Sequence, residues 1–143
     1  MTTDAARATM HASCVAVAGR GLLILGPSGA GKSALALQVM ALGGDLVADD
    51  RVDLQAEAGL LVARCPPRLR GLIEARGLGI LRAAPVAQAP VHLVVDLARE
   101  EVARLPPCHH ISLLGVELPL ALRVSGAHFP GALVQWLRHG REA

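Results

Sequence analysis

The sequence has little lysine, few aromatic residues, and no asparagine or tyrosine. Its net charge is only +2, and it has neither a basic run nor a set of aromatic side chains, so it gives no support to nucleic-acid binding. Thirteen of its 14 basic residues are arginine, and the remaining one is Lys32. A lysine retained at a single position indicates that a compact ammonium group is required there.

Long hydrophobic runs are also missing. The longest apolar stretches are interrupted by Arg20, Lys32 and Asp45, so none reaches the roughly 20 residues of a membrane span. Residues 1–10 carry Asp4 and lack the apolar segment of a signal peptide. We therefore expect a cytoplasmic protein with no membrane partner.

Cysteines are few and isolated. Cys14, Cys65 and Cys108 form no CxxC pair, which argues against disulfides and metal sites and favours small buried side chains. His109 and His110 follow Cys108, but no second group of ligands accompanies them, so we interpret this segment as a polar loop.

The remaining composition favours a folded globule, since 52% of the 143 residues are apolar and 18% are charged. The hydrophobic pattern predicts a single α/β domain with a mixed β-sheet and few helices. Strands are predicted at 12–18, 21–25, 45–48, 52–55, 60–64, 91–95, 111–114 and 116–118. Helical segments are predicted at 33–42, as a short turn at 69–74, at 99–105, and at 130–139.

A phosphate-binding loop is the strongest motif. The segment Gly26-Pro27-Ser28-Gly29-Ala30-Gly31-Lys32-Ser33 matches GxxxxGK[ST] between an apolar strand and a helix. Glycines allow backbone N–H groups to surround phosphate oxygens, and the helix N-terminus adds partial positive charge. Lys32 is expected to span the β- and γ-phosphates of a nucleoside triphosphate, and Ser33 to ligate Mg²⁺. A glycine-rich turn without a ligand is the alternative.

Acidic residues close to this loop are candidates for a base and for metal ligands. Asp49 and Asp50 directly follow a predicted strand, although an Asx turn or a helix cap explains one of them equally well. Asp96 ends another apolar strand and competes for the metal role. Glu74 and Arg76 share a turn with two glycines, for which a solvated surface turn is the simpler interpretation on spacing alone.

Four stretches of the chain, taken together, resemble the catalytic C-terminal domain of HPr kinase/phosphorylase, a bacterial enzyme that phosphorylates a serine of the phosphocarrier protein HPr. They are Met10-His11-Ala12-Ser13, the loop 26–33, Val47-Ala48-Asp49-Asp50-Arg51-Val52-Asp53, and Glu74-Ala75-Arg76-Gly77-Leu78-Gly79-Ile80. The resemblance is clear from about residue 10 to residue 82. It implies an N-terminal tail at 1–9 and a P-loop catalytic domain at 10–143.

The resemblance also implies roles for residues around the phosphates. Lys32 would bind the β/γ-phosphates of ATP, and Ser33 with Glu74 would hold Mg²⁺. Asp50 would be the general base that accepts the proton of the substrate serine, and Asp49 would support both the base and the metal.

Three further residues match positions of the family. His11 matches an active-site histidine, and Arg76 would steady the transferring charge or the loop. Arg104 matches a late catalytic arginine. By the same comparison, Asp96 becomes a strand-end residue without a metal role.

Two departures from the family pattern qualify the expected function. The N-terminal domain of the family has no counterpart, as in short forms from alphaproteobacteria, whose carrier tends to belong to a nitrogen-linked or regulatory phosphotransfer system. The late Gly-Arg-Asn motif tied to the phosphorylase direction has no good counterpart in the segment that follows Leu118-Pro119.

We therefore expect an ATP- and Mg²⁺-dependent serine kinase that acts on an HPr-like phosphocarrier protein, with phosphorylase activity reduced or absent. The resemblance suggests a homo-oligomer, a hexamer in the family. Two alternatives stay open: a small-metabolite P-loop kinase, and an ATP-responsive regulator that transfers no phosphate.

Overall fold

A computed structural model describes residues 6–143 of the chain. Its strands are β1 (Arg7–Met10), β2 (Ser13–Val17), β3 (Arg20–Leu25), β4 (Asp45–Ala48), β5 (Val52–Glu57), β6 (Leu60–Arg64), β7 (Leu72–Ala75), β8 (Gly79–Arg82), β9 (Gln88–Glu100), β10 (His109–Leu113) and β11 (Val116–Arg123). Its helices are α1 (Lys32–Ala41) and α2 (Phe129–His139), and Pro67–Leu69 form a short 3₁₀ turn. The predicted α/β class, with a mixed sheet and few helices, is confirmed.

The main sheet contains nine strands and is organised around β9. Along it the strands follow the order β1-β5-β6-β9-β3-β2-β4, and β11 with β10 attaches to the second part of β9. Residues Gln88–Pro90 of β9 pair antiparallel with β6, and Val94–Asp96 pair parallel with β11. The opposite edge of β9 pairs parallel with β3. A single strand thus joins both halves of the sheet.

The central strands are apolar on both faces because both faces are covered. On β3, Leu22 and Ile24 pack towards the two helices, whereas Leu23 faces a second core enclosed by the curl of the sheet. A strand buried on both faces reads as a continuous hydrophobic run, as residues 21–25 do.

The two helices lie on one side of the sheet, and each has recognisable ends. Helix α1 ends before Gly43-Gly44, and Gly44 donates its N–H to the carbonyl of Val39. Helix α2 has Pro130 in its first turn and Gly140 after its last residue. Arg20 donates to the carbonyl oxygens of Leu137 and Arg138, so a cation from β3 satisfies the C-terminus of α2. Within residues 6–143, no helix is long and apolar enough to cross a membrane.

Four sequence-based assignments of local structure were wrong. The first is the polar loop that follows Cys108, because His109 and His110 begin β10 and pair with β11. The segment 69–74, predicted as a helical turn, contains the end of the 3₁₀ turn and the start of β7, because β7 pairs with β8 in a separate hairpin. The segment 99–105, predicted as a helix, continues β9 as far as Glu100, and the N–H of Glu101 still donates to the carbonyl of Arg123.

The fourth difference concerns the N-terminus. Residues 1–9 are predicted to form a tail, but Arg7–Met10 form β1 and pair antiparallel with β5. Residues 7–9 therefore belong to the sheet, and residues 1–5 of the predicted tail lie outside the described residues.

Candidate active site

The phosphate-binding loop leads from β3 into α1, and its glycines are required by its backbone. Gly26 has φ 153°, and a Cβ there would lie 3.2 Å from the Cβ of Leu97. Gly29 and Gly31 have φ 85° and 98°, in the region that side chains disfavour. Gly31 immediately precedes the first residue of α1, so the free N–H groups of the first helical turn open onto the loop.

Lys32 lies folded over this loop. Its Nζ donates to the carbonyl oxygens of Gly26 at 2.7 Å and Pro27 at 3.1 Å. The ammonium group is therefore held at the mouth of the loop by the loop's own backbone. A planar guanidinium is bulkier and makes its hydrogen bonds in a fixed fork, which is consistent with the retention of lysine at this position alone.

Asp49 connects four parts of the chain. Its Oδ1 accepts hydrogen bonds from the hydroxyls of Ser13 on β2 and Ser33 on α1, both at 2.7 Å. Its Oδ2 accepts the backbone N–H of Glu74 on β7 at 3.1 Å. Only 5% of Asp49 is exposed, so these three donors compensate a buried carboxylate. Asp49 fixes the relative positions of β2, α1 and β7.

Ser13 is a residue for which sequence reasoning assigned no role. It is fully buried, and its hydroxyl donates to Asp49. The signal was present in the sequence, since Ser13 is the polar residue of an otherwise apolar strand, ASCVAVA. A hydroxyl at a core position needs a buried acceptor, and the acidic pair at 49–50 was available to supply one.

Asp50 adopts a backbone conformation that is rare for a residue with a side chain. Its φ is 70°, and the N–H of Arg51 donates to the carbonyl of Asp49 at 2.9 Å across it. A three-residue turn with positive φ at its centre is a strained γ-turn. The turn separates the two carboxylates, because Asp49 is buried whereas 71% of the Asp50 side chain is exposed.

His11 stands beside Asp50 in the gap between β1 and β2. Its Nδ1 lies 3.9 Å from Oδ1 of Asp50, and 75% of its side chain is exposed. This separation is too long for a hydrogen bond and short enough for the two groups to influence each other electrostatically.

A cavity of about 510 Å³ brings together most of the predicted site residues. Lys32 and Ser33 line it from the loop and helix side, and Asp50, Glu74 and Arg76 line it from the opposite side. The β7–β8 hairpin supplies the last two, and the hydrogen bond from Glu74 to Asp49 anchors that hairpin to the site. Five polar side chains, among them two carboxylates, therefore converge on one volume of a size typical for small-molecule sites.

Several predicted residues lie away from the lining of this cavity. Asp49, predicted to support the metal, stands behind Ser33 with both oxygens already accepting hydrogen bonds. Arg104 is exposed in the irregular segment 101–108 and does not line the cavity, so its position does not support the matched catalytic role. Asp96 was predicted to end a strand, but it lies inside β9, because the strand continues to Glu100. Its carboxylate accepts hydrogen bonds from the N–H of Ala98 and from Arg99.

Arg123 is a second residue that sequence reasoning did not single out. It ends β11, and its Nη2 donates to the carbonyl oxygen of Ala30 in the phosphate-binding loop at 2.5 Å. The two residues are 93 positions apart in the chain, so only the parallel pairing of β11 with β9 brings them together.

The donors at the site suit Mg²⁺. This ion prefers oxygen ligands and is commonly bound by one or two carboxylates together with phosphate oxygens and water. The Ser33 hydroxyl donates a hydrogen bond to Asp49, so the lone pairs of the Ser33 oxygen are free for a cation. The Glu74 carboxylate lines the same cavity. Among residues 6–143, no three His, Cys, Asp or Glu side chains gather into a ready-made metal cage, and a phosphate-bound Mg²⁺ does not need one.

Comparison with known proteins shows the family of this chain. Residues 3–101 match the profile of the family described as HPr Serine kinase C-terminal domain. The chain belongs to this family. Its sequence is 39% identical over 127 residues to the HPr kinase/phosphorylase of Cupriavidus necator, and 40% identical over 110 residues to that of Bordetella pertussis. The first alignment covers 80% of this chain and 39% of the relative, and the second covers 68% and 36%.

A solved structure shares the fold over nearly the whole chain. The Hpr(Ser) kinase/phosphatase from Coxiella burnetii superposes with a TM-score of 0.76 and 28% sequence identity, covering 92% of this chain and 94% of that one. This match confirms the P-loop nucleotide-binding fold predicted from the sequence. The chain spans about two fifths of the length of the curated HPr kinase/phosphorylase relatives it matches.

Proposed function

We propose that this chain is an ATP- and Mg²⁺-dependent kinase that phosphorylates a serine of an HPr-like phosphocarrier protein. One observation carries the proposal: a phosphate-binding loop, oxygen donors for a cation and an exposed carboxylate line a single cavity, through Lys32, Ser33, Glu74 and Asp50. Membership of the HPr Serine kinase C-terminal domain family supports the choice of a protein serine as acceptor.

The loop and Lys32 bind and orient the phosphates. Backbone N–H groups of the loop and of the first turn of α1 surround the phosphate oxygens, and the ammonium group neutralises charge at the β/γ end. Lys32 already lies at the mouth of the loop through Gly26 and Pro27, so it needs only a small movement to exchange carbonyl oxygens for phosphate oxygens.

Ser33 and Glu74 would hold Mg²⁺, and Asp49 acts through Ser33. When bound, the ion would offset the negative charge that develops during transfer. Asp49 orients the Ser33 hydroxyl so that its proton points away from the cavity. It also fixes the backbone of Glu74, so one buried carboxylate positions both donors.

Asp50 is the general base. Its exposed carboxylate reaches a serine hydroxyl on another protein and accepts its proton as the oxygen attacks the γ-phosphorus. The bond between the γ-phosphorus and the β–γ bridging oxygen breaks, and ADP leaves with that oxygen. Arg76 lines the cavity beside this reaction and stabilises negative charge on the transferring group.

The loop supplies no acid of its own. The segment 26–33 contains no Asp or Glu, so the base must come from outside the loop, and Asp50 is the exposed carboxylate that lines the cavity. The segment after Leu118-Pro119 lacks the Gly-Arg-Asn motif, and on this ground we propose that phosphorolysis of the phosphorylated serine is reduced or absent.

A transfer assay tests the proposal. Purified protein is incubated with γ-labelled ATP, Mg²⁺ and HPr-like carriers of the sugar-linked and nitrogen-linked types, and label on a carrier serine is measured. Asp50→Ala is expected to abolish labelling while nucleotide binding persists, and Lys32→Ala to weaken binding itself. Asp45→Asn, an exposed acid at the start of β4, is the matched control and retains activity.

The outcome separates the alternatives. Absence of Asp50-dependent label on serine contradicts the proposal. ATP consumption with small alcohols or acids favours a metabolite kinase, and a tight ATP-dependent carrier complex without product favours a regulator.

Adding inorganic phosphate to the labelled carrier then measures phosphorolysis, and light scattering measures whether the protein forms the proposed homo-oligomer. We place this reaction in the cytoplasm, where ATP is available.

A further inference from the structure

Ser13 lies at the end of β2 that is nearest to the phosphate-binding loop. It pairs with Ile24 on β3, shortly before the loop begins at Gly26. The next residue of β2, Cys14, pairs with Ala48 at the end of β4. Ser13 therefore lies between the strand that leads into the loop and the strand that leads into the acidic pair.

The hydroxyl of Ser13 stands at a position where an apolar side chain is expected. Side chains alternate along a strand, so Ser13 shares a face of β2 with Val15 and Val17, which pack in the core beneath the two helices. Ser13 is fully buried, and a buried hydroxyl costs free energy unless it has a partner. Its partner is Oδ1 of Asp49 at 2.7 Å, and Ser13 also lines the cavity that Lys32 and Glu74 line. The hydroxyl thus contributes to the site, whereas an apolar side chain would serve the core alone.

The buried carboxylate of Asp49 depends on uncharged donors. Within residues 6–143 it forms no ion pair. Each oxygen of a carboxylate has about two lone-pair sites, and at Oδ1 the hydroxyls of Ser13 and Ser33 occupy both. The orientation of Oδ1 is therefore set by two hydroxyls together.

The three donors to Asp49 differ in how the fold holds them. Ser33 lies in the first turn of α1, beside the loop, and Glu74 belongs to the β7–β8 hairpin, which forms a sheet of its own. Ser13 belongs to a strand of the main sheet that has a neighbouring strand on each side. It is therefore the donor that ties Asp49 to the main sheet.

We propose that Ser13 is a positioning residue for the cation site. Its hydroxyl occupies one lone pair of Oδ1, so the Ser33 hydroxyl donates to the other and keeps its own lone pairs towards the cavity. Without Ser13, the side chains of Asp49 and Ser33 can turn together, because the remaining donor to Asp49 binds its other oxygen. Loss of Ser13 is then expected to weaken the binding of the cation and not that of the phosphates. This inference rests on the proposed function, since it takes Ser33 as a ligand of Mg²⁺.

Calorimetric titration with ADP, in Mg²⁺ and in EDTA, tests the inference. The measured quantity is the ratio of the ADP dissociation constant in EDTA to that in Mg²⁺, which a purely structural role of Ser13 would leave unchanged. We expect Ser13→Ala to lower this ratio by about threefold to tenfold, the effect of one side chain that is no longer held in place. ADP binding in EDTA should change by less than about twofold. Ser13→Thr keeps the hydroxyl and should restore the ratio of the wild type.

Thr9→Val is the matched control. The Thr9 hydroxyl on β1 also donates to a carboxylate, that of Asp53 at 2.8 Å, but neither residue lines the cavity. The substitution removes a hydroxyl of the same kind, and the ratio is expected to equal that of the wild type.

The outcomes separate this inference from the proposed function. An unchanged ratio in Ser13→Ala, an equal loss of affinity in both buffers, or a ratio that falls equally in Ser13→Thr overturns the role of Ser13 and leaves the kinase proposal intact. Failure of the wild-type protein to bind ADP in either buffer counts against the kinase proposal and against the inference that rests on it. If circular dichroism shows that Ser13→Ala is unfolded, Ser13→Cys, whose thiol is a weak donor, is measured by the same comparison.

Discussion

The hydroxyl of Ser33 donates a hydrogen bond of 2.7 Å to the carboxylate of Asp49, behind the wall of the cavity that Lys32 and Glu74 line. The same Oδ1 accepts the hydroxyl of Ser13, and the other oxygen accepts the N–H of Glu74. Asp49 therefore positions Ser13, Ser33 and Glu74, all of which line the cavity.

Substitution of Asp49 tests this role. Asp49→Asn keeps the shape but turns one acceptor into an NH₂ donor, so at least one of its three buried donors loses its partner. We expect the free energy of unfolding to fall by about 1–3 kcal/mol in urea denaturation. The matched change Asp45→Asn, at an exposed position, is expected to have almost no effect. Equal stability of the two variants would contradict the proposed role.

The backbone conformation of Asp50 predicts that two substitutions there differ in stability although both abolish activity. Glycine adopts φ 70° without strain, whereas alanine does not. We expect Asp50→Gly to be more stable than Asp50→Ala by about 1 kcal/mol, while both lack phosphate transfer. Urea denaturation and the labelling assay measure the two properties on the same samples. A glycine variant no more stable than the alanine variant would argue against strain in this turn.

Glu101 predicts a weakening of the fold in acid. Its pKa is lowered from the usual 4.5 by a hydrogen bond from the N–H of Ala103, then by the side chain of His109 at 2.9 Å. A lowered pKa in the folded state contributes stability that is present above pH 4.5 and is lost as the pH falls through the folded value. Glu101→Gln should thus be less stable than the wild type at pH 6. Urea denaturation between pH 3 and about pH 7 measures this difference, which should shrink in acid. A constant difference over this range would contradict the prediction.

The three thiols should differ in reactivity. Burial raises the pKa of Cys14 to about 12, so its thiolate is scarce at neutral pH, whereas Cys108 is exposed. With iodoacetamide at pH 8, peptide mass spectrometry should find Cys108 modified first and Cys14 only after denaturation. Burial, followed by the charge of Asp53, also raises the pKa of Cys65, which should react more slowly than Cys108. Rapid native modification of Cys14 would show that β2 opens.

The sequence was sufficient to predict the features that depend on local chemistry. The phosphate loop needs glycines and a lysine at fixed spacing, and the structure indeed places it between β3 and α1. The acidic pair also stands out locally. Which of the two carboxylates is buried and which is exposed depends on the γ-turn at Asp50. The hydrogen bond from the N–H of Arg51 to the carbonyl of Asp49 closes that turn, and Asp49 itself is buried.

Features that depend on pairing between distant segments could not be predicted from the sequence. Residues 72–75 contain good helix formers, but pairing with β8 and the bond to Asp49 make them a strand. The contact from Arg123 to Ala30 requires the register of β11 on β9, which no local pattern encodes. Ser13 is partly predictable, because the sequence shows a polar residue in an apolar strand but does not show that Asp49 is its partner.

The central position of β9 has a consequence for the unfolding of the protein. It contributes to the half of the sheet that holds β1, β5 and β6, and to the half that holds the phosphate loop. Unfolding of either half removes hydrogen-bonding partners from the same 13 residues of β9. The loop between β3 and α1 is therefore thermodynamically coupled to strands far from it, and a ligand bound there raises the free energy of any unfolding that separates β9 from both halves.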